Sequence, residues 1–150
     1  MMAPVLKIKR QADNVQLPRY ATAGAAAFDI YAYLPYDRAL KNSGHDNSLI
    51  VETGLYFEVP EGWVLKIYSR SGQGFNENTR LANCVGIIDS DYRGLLRVKV
   101  TRDDGEMLTV LHGDRIAQGM LERAERVDFH EVDQLSETVR GDGAYGSTGR

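Results

Sequence analysis

The segment Asn83-Cys-Val-Gly-Ile-Ile-Asp-Ser-Asp-Tyr-Arg-Gly94 carries the densest chemistry in the chain. Asp89 and Asp91 are two residues apart, so an extended backbone points both carboxylates the same way, where they can bind a metal or take a proton. A polar hairpin tip is the plain alternative. Tyr68-Ser-Arg-Ser-Gly-Gln-Gly74 offers the donor fork of Arg70, the hydroxyl of Ser71, and Gly72 and Gly74, which let backbone N–H groups close on an anion. The Walker spacing is absent, and an ordinary loop turn gives the same pattern. Asp29 interrupts the small and apolar run Ala23–Ala32. It is either turned to solvent by strand alternation or kept inside for a charge partner or metal. In His112-Gly-Asp-Arg-Ile-Ala-Gln118, Gly113-Asp114 reads as a turn, Arg115 as the partner of a carboxylate, and Gln118 as a polar group flanking an apolar pair. The last eleven residues join Arg140, Ser147 and Thr148, all phosphate-binding types, to four glycines and the flat ring of Tyr145, which suits stacking on a base. A frayed terminus is the alternative there.

These groups need a frame, and the pattern predicts strands. Val5–Lys9 and Trp63–Tyr68 alternate, and Ser48–Val59, Arg80–Ile88, Leu95–Thr101 and Met107–Leu111 are rich in strand formers. Pro60-Glu-Gly62 and Asp103-Asp104-Gly105 read as hairpin turns. In Arg115–Arg126, Ile116, Met120, Leu121 and Ala124 also sit at helical spacing. Gly119 costs a helix about 1 kcal/mol relative to Ala, which favours a strand. Lys41–Ser48 (KNSGHDNS) is polar and turn-rich, a surface loop. Many short strands with little helix predict a sandwich or distorted barrel.

Composition narrows the partners. The 150 residues suffice for one domain, and the net charge of −3 argues against bulk nucleic-acid binding, which needs a basic stripe. A local cluster of arginine and backbone N–H groups can still hold a small anion. Cys84 is the only cysteine, so no internal disulfide forms. The N-terminal residues lack the apolar core of a signal peptide, and no run is long enough to span a membrane. The expected setting is soluble and cytoplasmic.

In their order, the five patches closely resemble the motifs of the homotrimeric dUTPase family, from Ala23 to Gly149. The most specific are Gly86-Ile-Ile-Asp-Ser-Asp-Tyr-Arg-Gly94, Gly113-Asp-Arg-Ile-Ala-Gln118 and Arg140-Gly-Asp-Gly-Ala-Tyr-Gly-Ser-Thr-Gly149. The resemblance implies an all-β, jelly-roll or β-clip subunit with at most one short helix. Residues 1–139 would form the β domain, and 140–150 a flexible glycine-rich arm closing over an active site of a neighbouring subunit in a trimer. It implies hydrolysis of dUTP to dUMP and pyrophosphate, which limits uracil incorporation into DNA and supplies dUMP for thymidylate synthesis.

The resemblance also implies roles. Asp89 would activate the attacking water and meet the deoxyribose 3'-hydroxyl, and Gln118 would hold that water and contact phosphate. Arg70, Ser71 and Gly72 would cradle the phosphates, and Arg140, Ser147 and Thr148 would clamp the terminal ones. Asn83 and backbone groups from Gly86 to Ile88 would read uracil, Tyr92 would pack under the sugar, and Tyr145 would stack on the base. Mg2+ would be held mainly by substrate phosphates, with Asp29 reaching it through water. Two departures stand out: Ser69 where the family usually has proline, a loss of turn rigidity but not of chemistry, and Tyr145 where Phe is common. Two alternatives remain, a dCTP deaminase of the same fold and a regulatory protein that binds dUTP and engages a partner through Lys41–Ser48.

Overall fold

The computed structural model describes residues 3–36, 38–42 and 46–145. In chain order the elements are β1 (Lys7–Arg10), β2 (Arg19–Tyr20), β3 (Phe28–Tyr31), β4 (Leu40–Lys41), β5 (Ser48–Glu58), β6 (Trp63–Tyr68), α1 (Ser71–Glu77), β7 (Thr79–Leu81), β8 (Val85–Ile88), β9 (Leu95–Arg102), β10 (Thr109–Val110) and β11 (Arg115–Arg123). Two antiparallel sheets, ordered β1-β5-β9-β7 and β2-β3-β11-β6-β8, make the body, with β4 and β10 forming a small ribbon. Alternation decides which side chains meet between the sheets. Leu65 and Ile67 on β6 and Leu96, Val98 and Val100 on β9 turn inward, where they join Ile30, Val51, Leu55 and Ile116. Each such side chain contributes about 1.5–3 kcal/mol by leaving water. The expected all-β, jelly-roll-type class holds, with the one helix of the described residues at Ser71–Glu77. Among those residues no helix is long and apolar enough to cross a membrane.

The contested stretch from Arg115 is a strand, and its glycine has a packing reason. Gly119 lies opposite Phe28, and a Cβ there would come within 2.5–3.2 Å of the Phe28 ring. A long strand also needs a local repair. The β5–β9 register shifts between Glu52 and Tyr56, where Gly54 takes φ +67°. The buried Thr53 hydroxyl donates to the Leu96 carbonyl and accepts from the Leu55 N–H, restoring bonds lost at the irregularity.

Four sequence expectations need correction. Pro60–Gly62 does turn, with the Trp63 N–H on the Pro60 carbonyl, but it passes the chain from one sheet to the other instead of closing a hairpin. The Asp103-Asp104 turn likewise leads from β9 to a strand paired with β4. Arg80–Ile88 is two strands in different sheets, split by a turn in which Cys84 adopts φ +62°. The polar loop is shorter than expected, because Lys41 and Ser48 lie in strands. Ser43, Gly44 and His45 lie outside the described residues.

Candidate functional site

Strand register assembles the first half of the site. Asp29 on β3 lies opposite Gln118 on β11, which lies opposite Tyr68 on β6, and Arg19 on β2 lies opposite Asp29. Directly opposed residues share a face, so one transverse row of the five-stranded sheet presents Arg19, Asp29, Gln118 and Tyr68. Arg70 follows the end of β6 and donates through Nε to Asp29 Oδ1 at 3.1 Å. Arg115 Nη1 donates to Asp29 Oδ2 at 3.3 Å, the carboxylate partnership expected from sequence. The Asp29 side chain is 13% exposed and offsets one of these two guanidinium charges, so the pair keeps a net positive charge for an anion. Ser71 and Gly72, both exposed, open helix α1 beside Arg70, which occupies its N-cap position. Arg19 was missed in the sequence because only cross-strand pairing brings it to this row.

Gln118 is held as well. Its Nε2 donates to the Ser69 carbonyl at 2.9 Å, which leaves Oε1 free to accept a hydrogen. Ser69 also accepts the Leu81 N–H on its hydroxyl at 2.9 Å.

The second half lies along β8. This edge strand pairs only with β6, so backbone groups on its other side have no ladder partner. They face a cleft between β8 and β9 made of two adjoining hollows of about 450 and 460 Å³. Asn83 and Gly86 line one hollow, Asp89 and Tyr92 the other, and Ile87 and Ile88 both. Gly86 faces Ile67 so closely that a Cβ would sit 3.2 Å from the Ile67 Cβ. The Tyr92 hydroxyl donates to the Leu95 carbonyl at 3.1 Å, folding the ring over Gly94, where any Cβ would collide with it. Asp89 itself is exposed.

The two halves do not meet within one chain. Asp89 follows Ile88, the partner of Leu65, whereas Gln118 is opposite Tyr68. Their Cα atoms are therefore roughly 16 Å apart, from about 13 Å along the strands and two strand spacings across. The C-terminal region starts beside the second half, where Ala124 and Arg126 line a further hollow with Asp89. Residues 124–145 contain no strand or helix, and Val127, Phe129 and Leu135 stand exposed. Arg140 Nε donates to the Gly143 carbonyl within a local turn, and Tyr145 is fully exposed. Ser147 and Thr148 lie outside the described residues.

A magnesium ion fits this donor set in one way. Among the described residues no three His, Cys, Asp or Glu side chains group to hold a metal. Each Asp29 oxygen already accepts one arginine bond and retains a lone pair for a water. Such a site can join the outer hydration of an ion carried by phosphate oxygens, the usual state of Mg2+.

The chain is thus an antiparallel β protein with a cationic row at one strand end and an open apolar cleft at another, the first chemically suited to an anion and the second to a flat apolar group. The profile of the dUTPase family matches residues 13–149. A deoxyuridine 5'-triphosphate nucleotidohydrolase of Finegoldia magna is 40% identical over 144 residues, covering 96% of this chain and 98% of that protein. One from Dinoroseobacter shibae is 41% identical, covering 100% and 98%. The fold matches that of the Staphylococcus bacteriophage 80alpha dUTPase G164S mutant with dUpNHpp, at a TM-score of 0.82, 21% identity and coverage of 97% and 99%. The chain belongs to the dUTPase family and is a hydrolase.

Proposed function

We propose that the chain, as a dUTP-hydrolysing enzyme, works as a homotrimer whose active sites lie between subunits, releasing dUMP and pyrophosphate in the cytoplasm. The observation that carries this reading is the separation of Asp89 from Gln118. A single water cannot touch groups whose Cα atoms are roughly 16 Å apart. Asp89 of one copy therefore serves beside the Asp29–Arg70–Gln118 row of another. The arm 140–150, led off by the exposed stretch from 124, reaches a neighbour's site.

At that shared site Asp89 accepts a proton from water while Gln118 Oε1 accepts its other hydrogen, aiming the oxygen at the α-phosphorus. The new P–O bond forms as the bond to the bridging oxygen breaks, and pyrophosphate leaves. Arg70, the Ser71 hydroxyl and the backbone at Gly72 hold the phosphates, and Arg140, Ser147 and Thr148 close on the terminal ones. Asp29, through its remaining lone pairs, would hold the outer water of a Mg2+ ion carried by those phosphates, which would supply neutralisation of charge on the leaving group. Unpaired backbone groups of β8 from Gly86 to Ile88, with Asn83, pair with uracil. An amino group on cytosine presents a donor where uracil presents an acceptor, and is rejected there. Tyr92 packs under the sugar, Asp89 meets the 3'-hydroxyl, and Tyr145 stacks on the base. The reaction limits uracil incorporation into DNA and supplies dUMP.

The test is pyrophosphate release from dUTP, dCTP, dTTP and UTP, each with and without magnesium. Turnover of dUTP alone, dependent on magnesium, is expected. Ammonia from dCTP would instead place the chain with the deaminases. A second reading adds regulation, because structures of similar fold include phage dUTPases described as controlling transfer of virulence genes. A partner contact at Lys41–Ser48 would then be lost on loop deletion with dUTP turnover intact, as a pull-down against wild type would reveal.

A further inference from the structure

We infer that Ser69 is a positioning residue for Gln118, acting through a hydrogen-bonded clasp between the two sheets. Ser69 sits between β6 and α1, and its two oxygens face different partners. The carbonyl accepts from Gln118 Nε2 at 2.9 Å, and the hydroxyl accepts from the Leu81 N–H at 2.9 Å. Leu81 belongs to β7, the edge strand of the four-stranded sheet, and is 1% exposed. Its N–H has no water to turn to, so losing the Ser69 hydroxyl leaves a buried donor unpaired.

Apart from the anchorage of Arg70 on Asp29 and the Arg115 carbonyl, the junction has little other support. Helix α1 buries none of its residues, carries Gly72 and Gly74, and has no side-chain cap bond. The hydroxyl clasp thus fixes the direction of the Ser69 carbonyl from one side while the Arg70 anchorage holds the chain on the other. That direction matters because a carboxamide has one acceptor and one donor end. While the carbonyl of Ser69 holds the amino end, Oε1 faces away and can accept from water. With the carbonyl displaced, the amide is free to rotate and present N–H groups that cannot accept the water's hydrogen.

This inference rests on the reading of Gln118 as the group that holds the attacking water. Its test is a double-mutant cycle in the full-length protein, measuring steady-state dUTP hydrolysis for Ser69→Ala, Ser69→Thr, Gln118→Ala and the Ser69→Ala/Gln118→Ala pair. Ser69→Ala is expected to lower kcat about tenfold with KM changed less than twofold. Ser69→Thr, which keeps the hydroxyl, restores kcat, and Ser69→Ala adds nothing once Gln118 is gone. An NMR spectrum of the Gln118 side-chain amide gives a readout apart from activity, with its resonances moved by Ser69→Ala and restored by Ser69→Thr. Wild-type kcat in Ser69→Ala beside a slow Gln118→Ala, or fully additive losses, overturns the clasp alone. Wild-type kcat in Gln118→Ala overturns the reading of Gln118 first, and the clasp with it.

Discussion

The two ends of strand β6 are built on opposite plans. At the Tyr68 end, Asp29, Arg70, Arg115, Gln118 and Ser69 are tied to one another by side-chain hydrogen bonds, and the binding groups are fixed before any ligand arrives. At the other end, Asp89 is exposed, and the neighbouring cleft is walled by half-exposed apolar side chains beside an unpaired strand edge. The braced end suits phosphate, whose charge repays rigid, oriented donors. The open end suits a flat base, and on the proposed reading its acid acts beside the braced row of a neighbouring subunit. One strand can carry both because its length keeps them apart.

The contrast can be broken most severely at the open end. Asp89→Asn keeps the shape but removes the base, so kcat should fall by about 10²–10⁴-fold. Calorimetry with a non-hydrolysable dUTP analogue should still detect binding, and wild-type turnover would remove Asp89 from the chemistry. At the braced end, Arg70→Lys retains charge but loses the fork. A drop in kcat/KM of about 10–100-fold is expected, with dUTP titrations showing weaker phosphate binding. An unchanged kcat/KM would mean that Arg70 serves only Asp29. Gly94→Ala sharpens the picture of the cleft, since the new methyl must displace the Tyr92 ring. It should cost about 1–3 kcal/mol in denaturant unfolding and relax discrimination between dUTP and UTP.

The smallest effect concerns neither end but the face between them. Glu122 accepts from Lys66 Nζ at 2.7 Å and from the Tyr68 hydroxyl at 2.9 Å, and Lys66 first, then Tyr68, holds its carboxyl below the ordinary 4.5. A depressed carboxyl contributes fully above its unfolded value and loses that contribution as pH falls through the folded one. Glu122→Gln should therefore lower Tm slightly at neutral pH, with the difference from wild type shrinking in acid. A constant difference across the titration would contradict the ion pair.

Much of this architecture was legible because it is periodic. Alternation located β1 and β6, runs of strand formers located β5 and β9, and the penalty at Gly119 rightly favoured a strand after Arg115. Pairing was less legible, since a turn such as Pro60–Gly62 looks the same whether its strands join or part. Cys84 hid the break after Leu81 because a non-glycine residue at φ +62° leaves no sequence mark. Helix α1 was invisible for a related reason, having two glycines and no buried stripe. At the site, residue types singled out Arg70 as an anion binder, while Asp29 and Gln118 took their roles from the family resemblance. Register alone brought Arg19 beside them, and a backbone carbonyl that no side-chain pattern encodes oriented Gln118.

The two arginines sharing Asp29 have a kinetic consequence. Overall the protein carries −3 and should repel a polyanion at long range. Within a Debye length, about 8 Å at physiological ionic strength, Arg19, Arg70 and Arg115 stand against Asp29, Asp114 and Glu77, so this patch does not share the overall negative sign. Binding of a triphosphate at the proposed row should therefore depend on the aim of individual arginines more than on long-range steering, and added salt should change the association rate of dUTP little.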